Sequence, residues 1–198
     1  MATRSFAPSD RDLRGLHTVS RATAHARKHI LRRRLAVVAP RVADAVRYTG
    51  GWLYDQVAAG WEVVVLVPGN ADIRPLEILG ATTVDLESAL ECSPHGPMPD
   101  TVAVATDLYE ADARIRQGLL ETLAKHPTTI TMWGKDVPSE LDSRFGSTQH
   151  RLSRAARVFK AHALQAATNS PVDVGFTESF RTDGIGSMPA TGTLTSIR

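Results

Sequence analysis

The sequence predicts an α/β protein: a small, mostly parallel four-stranded sheet flanked by helices, with a basic N-terminal helix and a disordered C-terminal tail. Three observations predict it. Short apolar runs alternate with helix-period segments, the pattern of βαβ units. The strongest run, Val63-Val64-Val65-Leu66-Val67, is apolar without alternation, as in a strand covered on both faces. The chain has 198 residues, 42% of them hydrophobic, enough for one domain with a core that needs neither disulfide nor metal. Four parts follow: a flexible tail over 1–9, a basic amphipathic helical arm over 10–39, the α/β domain over 40–167, and a flexible Gly/Ser/Thr/Pro-rich tail over 168–198.

Asp10 or Asp12 caps the arm helix, which is read as running to about Leu35. Pro40 suits the first turn of a second helix, extending to about Ala59, with Val42, Val46, Leu53 and Val57 as its apolar stripe. Gly50-Gly51 marks a break or a close backbone contact within it. Trp61–Val67 is the first strand, and Asp72–Leu79 a short helix. Thr82–Leu86 is the second strand, followed by a helical turn near Glu87 and a proline-rich loop. Thr101–Thr106 is the third strand. Leu108, Ala111, Ile115, Leu119 and Leu123 recur at helical spacing, so Asp107–Lys125 reads as one helix capped by Asp107. Thr128–Trp133 is the fourth strand, and Thr148–Ala167 the last helix.

Charge is divided unevenly. Residues 1–50 carry 11 Lys and Arg against 3 Asp and Glu, a balance of +8; residues 51–198 carry 12 against 18, a balance of −6. On a helical wheel Leu16, Val19, Thr23, Ala26 and Ile30 form one stripe. Arg14, Arg21, Lys28 and Arg32 lie opposite, while Arg33, in the Arg32-Arg33-Arg34 run, lies off that face. A cationic helix face attracts phosphate backbones through counterion release. The first functional reading is therefore a non-enzymatic regulatory protein that contacts DNA or RNA through Arg14, Arg21, Lys28, Arg32 and Arg33. The arm lacks aromatic residues for base stacking, so little sequence specificity is expected.

Two other readings compete. In parallel sheets, ligands bind beyond the carboxyl ends of the strands. Those ends carry Asn70, Asp72, Asp107, Lys135 and Asp136, a set that would suit an enzyme or ligand-binding domain handling a phosphorylated metabolite. Alternatively, the Leu16/Ile30 stripe docks onto a protein partner or a second copy. The last helix brings a further basic group: Arg151, Arg154, Arg157 and Lys160, with His150.

Several classes are disfavoured. There is neither a dinucleotide Gly-x-Gly-x-x-Gly nor a Walker-type phosphate loop, so no cofactor is predicted. His25 and His29 sit four apart without a third ligand, so no metal is predicted. Cys92 is the single cysteine and lacks an activating setting. No segment approaches the roughly 20 apolar residues of a membrane span, so membrane insertion is excluded and a cytoplasmic location expected.

Overall fold

Apolar patterning is converted into a sheet with one well-covered face. The computed structural model describes residues 32–91, 98–125, 127–134 and 137–183, together with the backbone of a strand at 194–196. In chain order the elements are β1 (Arg34–Val38), α1 (Val42–Ala58), β2 (Glu62–Val67), α2 (Arg74–Ile78), β3 (Thr82–Asp85) and α3 (Leu86–Glu91). Then come β4 (Thr101–Ala105), α4 (Thr106–Ala111), α5 (Ala113–Lys125), β5 (Thr129–Trp133) and α6 (Ser139–Asp142). The last are β6 (Phe145–Arg151), α7 (Arg154–Thr168), β7 (Thr177–Asp183) and β8 (Leu194–Ser196).

The sheet order is β3-β2-β1-β4-β5-β7-β6-β8. The first five are parallel, with Val37 of β1 opposite Val65 of β2 and Ala103 of β4. Beyond β5 the sheet turns antiparallel, through β7, β6 and the three-residue β8. It is thus a mixed sheet of eight strands, twice the expected four. All four additional strands lie where the sequence suggested something else, β8 in the supposed tail. β1 falls within the supposed arm helix. β6 starts at Phe145 and takes in the supposed N-terminal turn of the last helix. β7 lies in the supposed tail.

The polar character of the buried faces of β6 and β7 explains why they were missed. Thr148, His150, Glu178 and Thr182 are all buried there. The Thr131, Thr148 and Thr182 hydroxyls form a chain across three strands at 3.3 and 3.2 Å. These partners satisfy the buried hydroxyls, so the strands need no hydrophobic alternation.

α1, α2 and α7 cover one face. Leu35, Val37, Val63, Val65 and Ala103 of the strands share a core with Val46 and Leu53 of α1 and Ala163 and Leu164 of α7. The anticipated close contact at Gly50-Gly51 is present without a helix break: a Cβ at Gly51 would lie 2.2 Å from Leu152 Cδ2. Glu178 of β7 accepts hydrogen bonds from Gly51 N and Trp52 N, both at 2.8 Å, and from Lys160 Nζ of α7 at 2.6 Å. A buried ion pair thereby joins two helices to a strand.

The second core, on the other face, gathers Leu86, Val104, Tyr109, Ile115, Leu119 and Ile130. The single helix expected over 107–125 is divided at Asp112, whose backbone is extended at φ −118° and ψ 113°. The Asp112 carboxylate accepts from Arg114 N at 2.8 Å, restarting the helix as α5.

Candidate functional site

In an open sheet the crevice for a ligand forms where neighbouring parallel strands send their connections to opposite faces. Here that point lies between β1 and β4. β1 leads into α1 on one face, and β4 leads into α4 and α5 on the other. The loop after β1 is Ala39-Pro40-Arg41. Arg41 has extended backbone immediately before α1, and its side chain is 76% exposed. Its Nε donates to Asp44 Oδ2 at 2.6 Å and its Nη2 to Oδ1 at 3.1 Å. This bidentate pair fixes the guanidinium plane while using two of its five N–H donors.

Asp107, in the first turn of α4, is near enough for its charge to act on Arg41. The Asp44 hydrogen bond, and more weakly the charges of Asp44 and Asp107, raise the Arg41 pKa above its ordinary value. Tyr48, one and a half turns into α1, lies against Trp133 at the end of β5, with ring centroids 5.7 Å apart. Thr106 Oγ1 donates to Trp133 O at 3.2 Å. The Trp133 indole N–H is buried and finds no acceptor among the described residues. The crevice therefore combines a fixed cation, a carboxylate and an aromatic wall.

The predicted strand-end set is only partly assembled. Asn70 and Asp72 sit on the turn after β2, and Asp72 Oδ1 is engaged by Arg74 N at 3.1 Å. Their loop lies two strand spacings from that of Asp107, about 10 Å. Lys135 and Asp136 lie outside the described residues. Asp107 belongs to the crevice, but it is not the cap of its helix: the N-cap position is Ala105, without a side-chain cap. Arg41, Tyr48 and Trp133 were missed. The available signal was an arginine directly after a strand-ending Ala-Pro, with an acid three residues on.

Arg14, Arg21, Lys28 and the Leu16/Ile30 stripe lie outside the described residues, as do His25, His29 and Cys92. Of the remaining arm cations, Arg33 stacks over Trp61 at 5.1 Å. The second basic group is no continuous surface. His150 is buried against Asp55 at 2.8 Å, Lys160 is buried on Glu178, and Arg157 lies over Phe176.

The topology defines a mixed α/β fold whose parallel half has its switch point between β1 and β4. The chain matches no protein-family profile and no curated protein in sequence. Solved structures do share the fold. The zinc-inhibited form of teicoplanin deacetylase Orf2 aligns over 78% of this chain and 100% of its own, with TM-score 0.53 and 14% identity. The same deacetylase in complex with teicoplanin aligns over 75% and 97%, with TM-score 0.51 and 15% identity. GalB, the 4-carboxy-2-hydroxymuconate hydratase from Pseudomonas putida KT2440, aligns over 82% and 100%, with TM-score 0.52 and 12% identity.

These neighbours overturn the reading of a non-enzymatic, regulatory nucleic-acid binder: the structures named here as similar in fold are of a deacetylase and a hydratase. The cationic stripe seen in the sequence says nothing about the chemistry at the sheet edge, where the fold places its ligands. The described residues of the crevice do not fit a zinc ion. Asp44 is engaged by Arg41, and no three His, Cys, Asp or Glu among the described residues are grouped to hold a metal. Among the described residues no helix is long and apolar enough to cross a membrane.

Proposed function

We propose that the chain is an enzyme or ligand-binding domain handling a small anionic metabolite, phosphorylated or carboxylated, in the crevice between β1 and β4. The observation that carries this reading is the guanidinium of Arg41, pinned by Asp44 and exposed at the switch point. Arginine suits a planar or tetrahedral oxyanion because its donors are held in a fork. The Asp44 contact removes the entropy cost of orienting that fork. The 17-residue helix α1 starts at the next residue and adds partial positive charge at its N-terminus. Asp107 adds a carboxylate on the α4 side. Tyr48, exposed and packed against Trp133, supplies an apolar side.

The test is titration calorimetry with inorganic phosphate and with malonate, on the full chain and on Arg41→Ala. A charge-assisted hydrogen bond contributes about 1.5–3 kcal/mol, so the variant should bind at least about tenfold more weakly. Arg33→Ala, whose cation lies on Trp61, should bind as the parent does. Equal affinity in Arg41→Ala and the parent would remove Arg41 from the site, and this reading with it.

A further inference from the structure

The two faces of the central strand β1 are unequally covered. Leu35 and Val37 are buried, whereas Ala36 and Val38 on the opposite face are only half-buried. β2 repeats the pattern, with Val63, Val65 and Val67 buried and Val64 and Leu66 half-buried. Central strands of parallel sheets are ordinarily covered on both sides. Over the open side lies a cavity of about 460 Å³. Its floor is Ala36, Val38, Leu66 and Val102, and its walls are α3 through Leu90 and α5 through Gly118 and Leu119. At Gly118 a Cβ would meet nothing within 4 Å, so the missing side chain leaves that wall open.

Size and chemistry select the occupant. A small ligand fits, since such sites span about 300–1,000 Å³. The apolar lining is aliphatic throughout, with no aromatic ring to stack on a flat ligand. At the rim, Arg114 is held by Glu87 of α3 at 2.9 Å and by Asp112 at 2.7 Å. Glu121 is paired with Lys125 at 3.3 Å. These three carboxylates outnumber the two cations, so the rim repels an anionic head.

We propose that this cavity, separate from the Arg41 crevice, is a binding site for an unbranched aliphatic chain carrying an uncharged polar head. The chain lies on the β1–β2–β4 floor between α3 and α5, and the head meets water beside Thr122 and the Arg114 network.

The experiment is calorimetric titration of the full chain with hexanol, octanol, decanol and octanoate. One saturable site should tighten about fourfold per added methylene until the cavity is full. Octanoate should bind at least about tenfold more weakly than octanol. Two variants fill the cavity from opposite walls, Gly118→Leu from α5 and Ala36→Ile from the floor. Each should weaken octanol at least about tenfold while keeping the parent's circular dichroism. If one variant fails to fold, the other decides. Non-saturable uptake, no dependence on chain length, octanoate equal to octanol, or full octanol affinity in a folded filled variant would each overturn the proposal.

Discussion

Lys160→Met tests whether the buried ion pair holds the two flanking helices to β7. Lys160 and Glu178 have side chains 8% and 3% exposed, and their charged atoms lie 2.6 Å apart. Removing one partner of a buried pair costs about 3–5 kcal/mol, because the other charge is stranded. The two amide donors from Gly51 and Trp52 remain, which puts the expected loss near the lower end, about 3 kcal/mol. For a domain of this size that is a fall in Tm of about 6–12 °C. Burial already pushes the Glu178 carboxyl above its ordinary range, against the pull of Lys160. Without the ammonium it rises further. A raised folded-state value gives stability that is present below the unfolded value and lost as pH increases through the folded one. The loss in Lys160→Met should therefore be greater at pH 8 than at pH 5, as read from urea unfolding midpoints at constant slope. Glu178→Gln combined with Lys160→Met should recover part of the loss at pH 8. A deficit below about 1 kcal/mol at both pH values would refute the assignment of this pair as a structural clamp.

Two further outcomes follow from the same region. Gly51→Ala should destabilise by about 1–3 kcal/mol, since its new methyl meets Leu152 in a packed core; thermal unfolding reads this, and a neutral result would show that Leu152 can move freely. Burial alone would raise the Asp55 pKa, but hydrogen bonds from His150 and Ser153 outweigh it and hold the carboxyl below its ordinary value. Its contribution is present above the unfolded value near 3.8 and lost as pH falls through the lower folded value. The stability gap between parent and Asp55→Asn, about 1.5–3 kcal/mol at pH 6, should therefore close toward pH 3 in acid titrations of the unfolding midpoint.

The legible part of the fold was the part that hydrophobicity dictates. The Val63–Val67 run, the stripe of α1 and the Leu108–Leu123 spacing mark β2, α1 and the α4–α5 segment. β1 was obscured because Arg32-Arg33-Arg34 runs into it and prolongs an apparently helical charge pattern. β6 and β7 were obscured because four of their six buried residues are polar, Thr148, His150, Glu178 and Thr182, each satisfied by a partner distant in sequence. A buried polar residue carries no sequence signal for its partner. The same holds for the crevice. Asp107 was visible as an acid at a strand end, but Arg41 reads locally as the start of a helix. Its position beside Asp107 depends on β4 pairing with β1, across more than 60 intervening residues.

The placement of β7 has a consequence for biosynthesis. This strand lies between β5 and β6 although it follows both in sequence, and it pairs with β5 at Thr131 and Met132. On a ribosome, the five parallel strands emerge and can associate while the slot beside β5 is still vacant. β6 has no permanent neighbour until residues 177–183 leave the exit tunnel. A nascent chain arrested before Thr177 thus presents a bare edge on β5 and two on β6, the form most prone to capture by other chains. Translation of residues 177–183, which also deliver Glu178 to Lys160, fills the slot between β5 and β6.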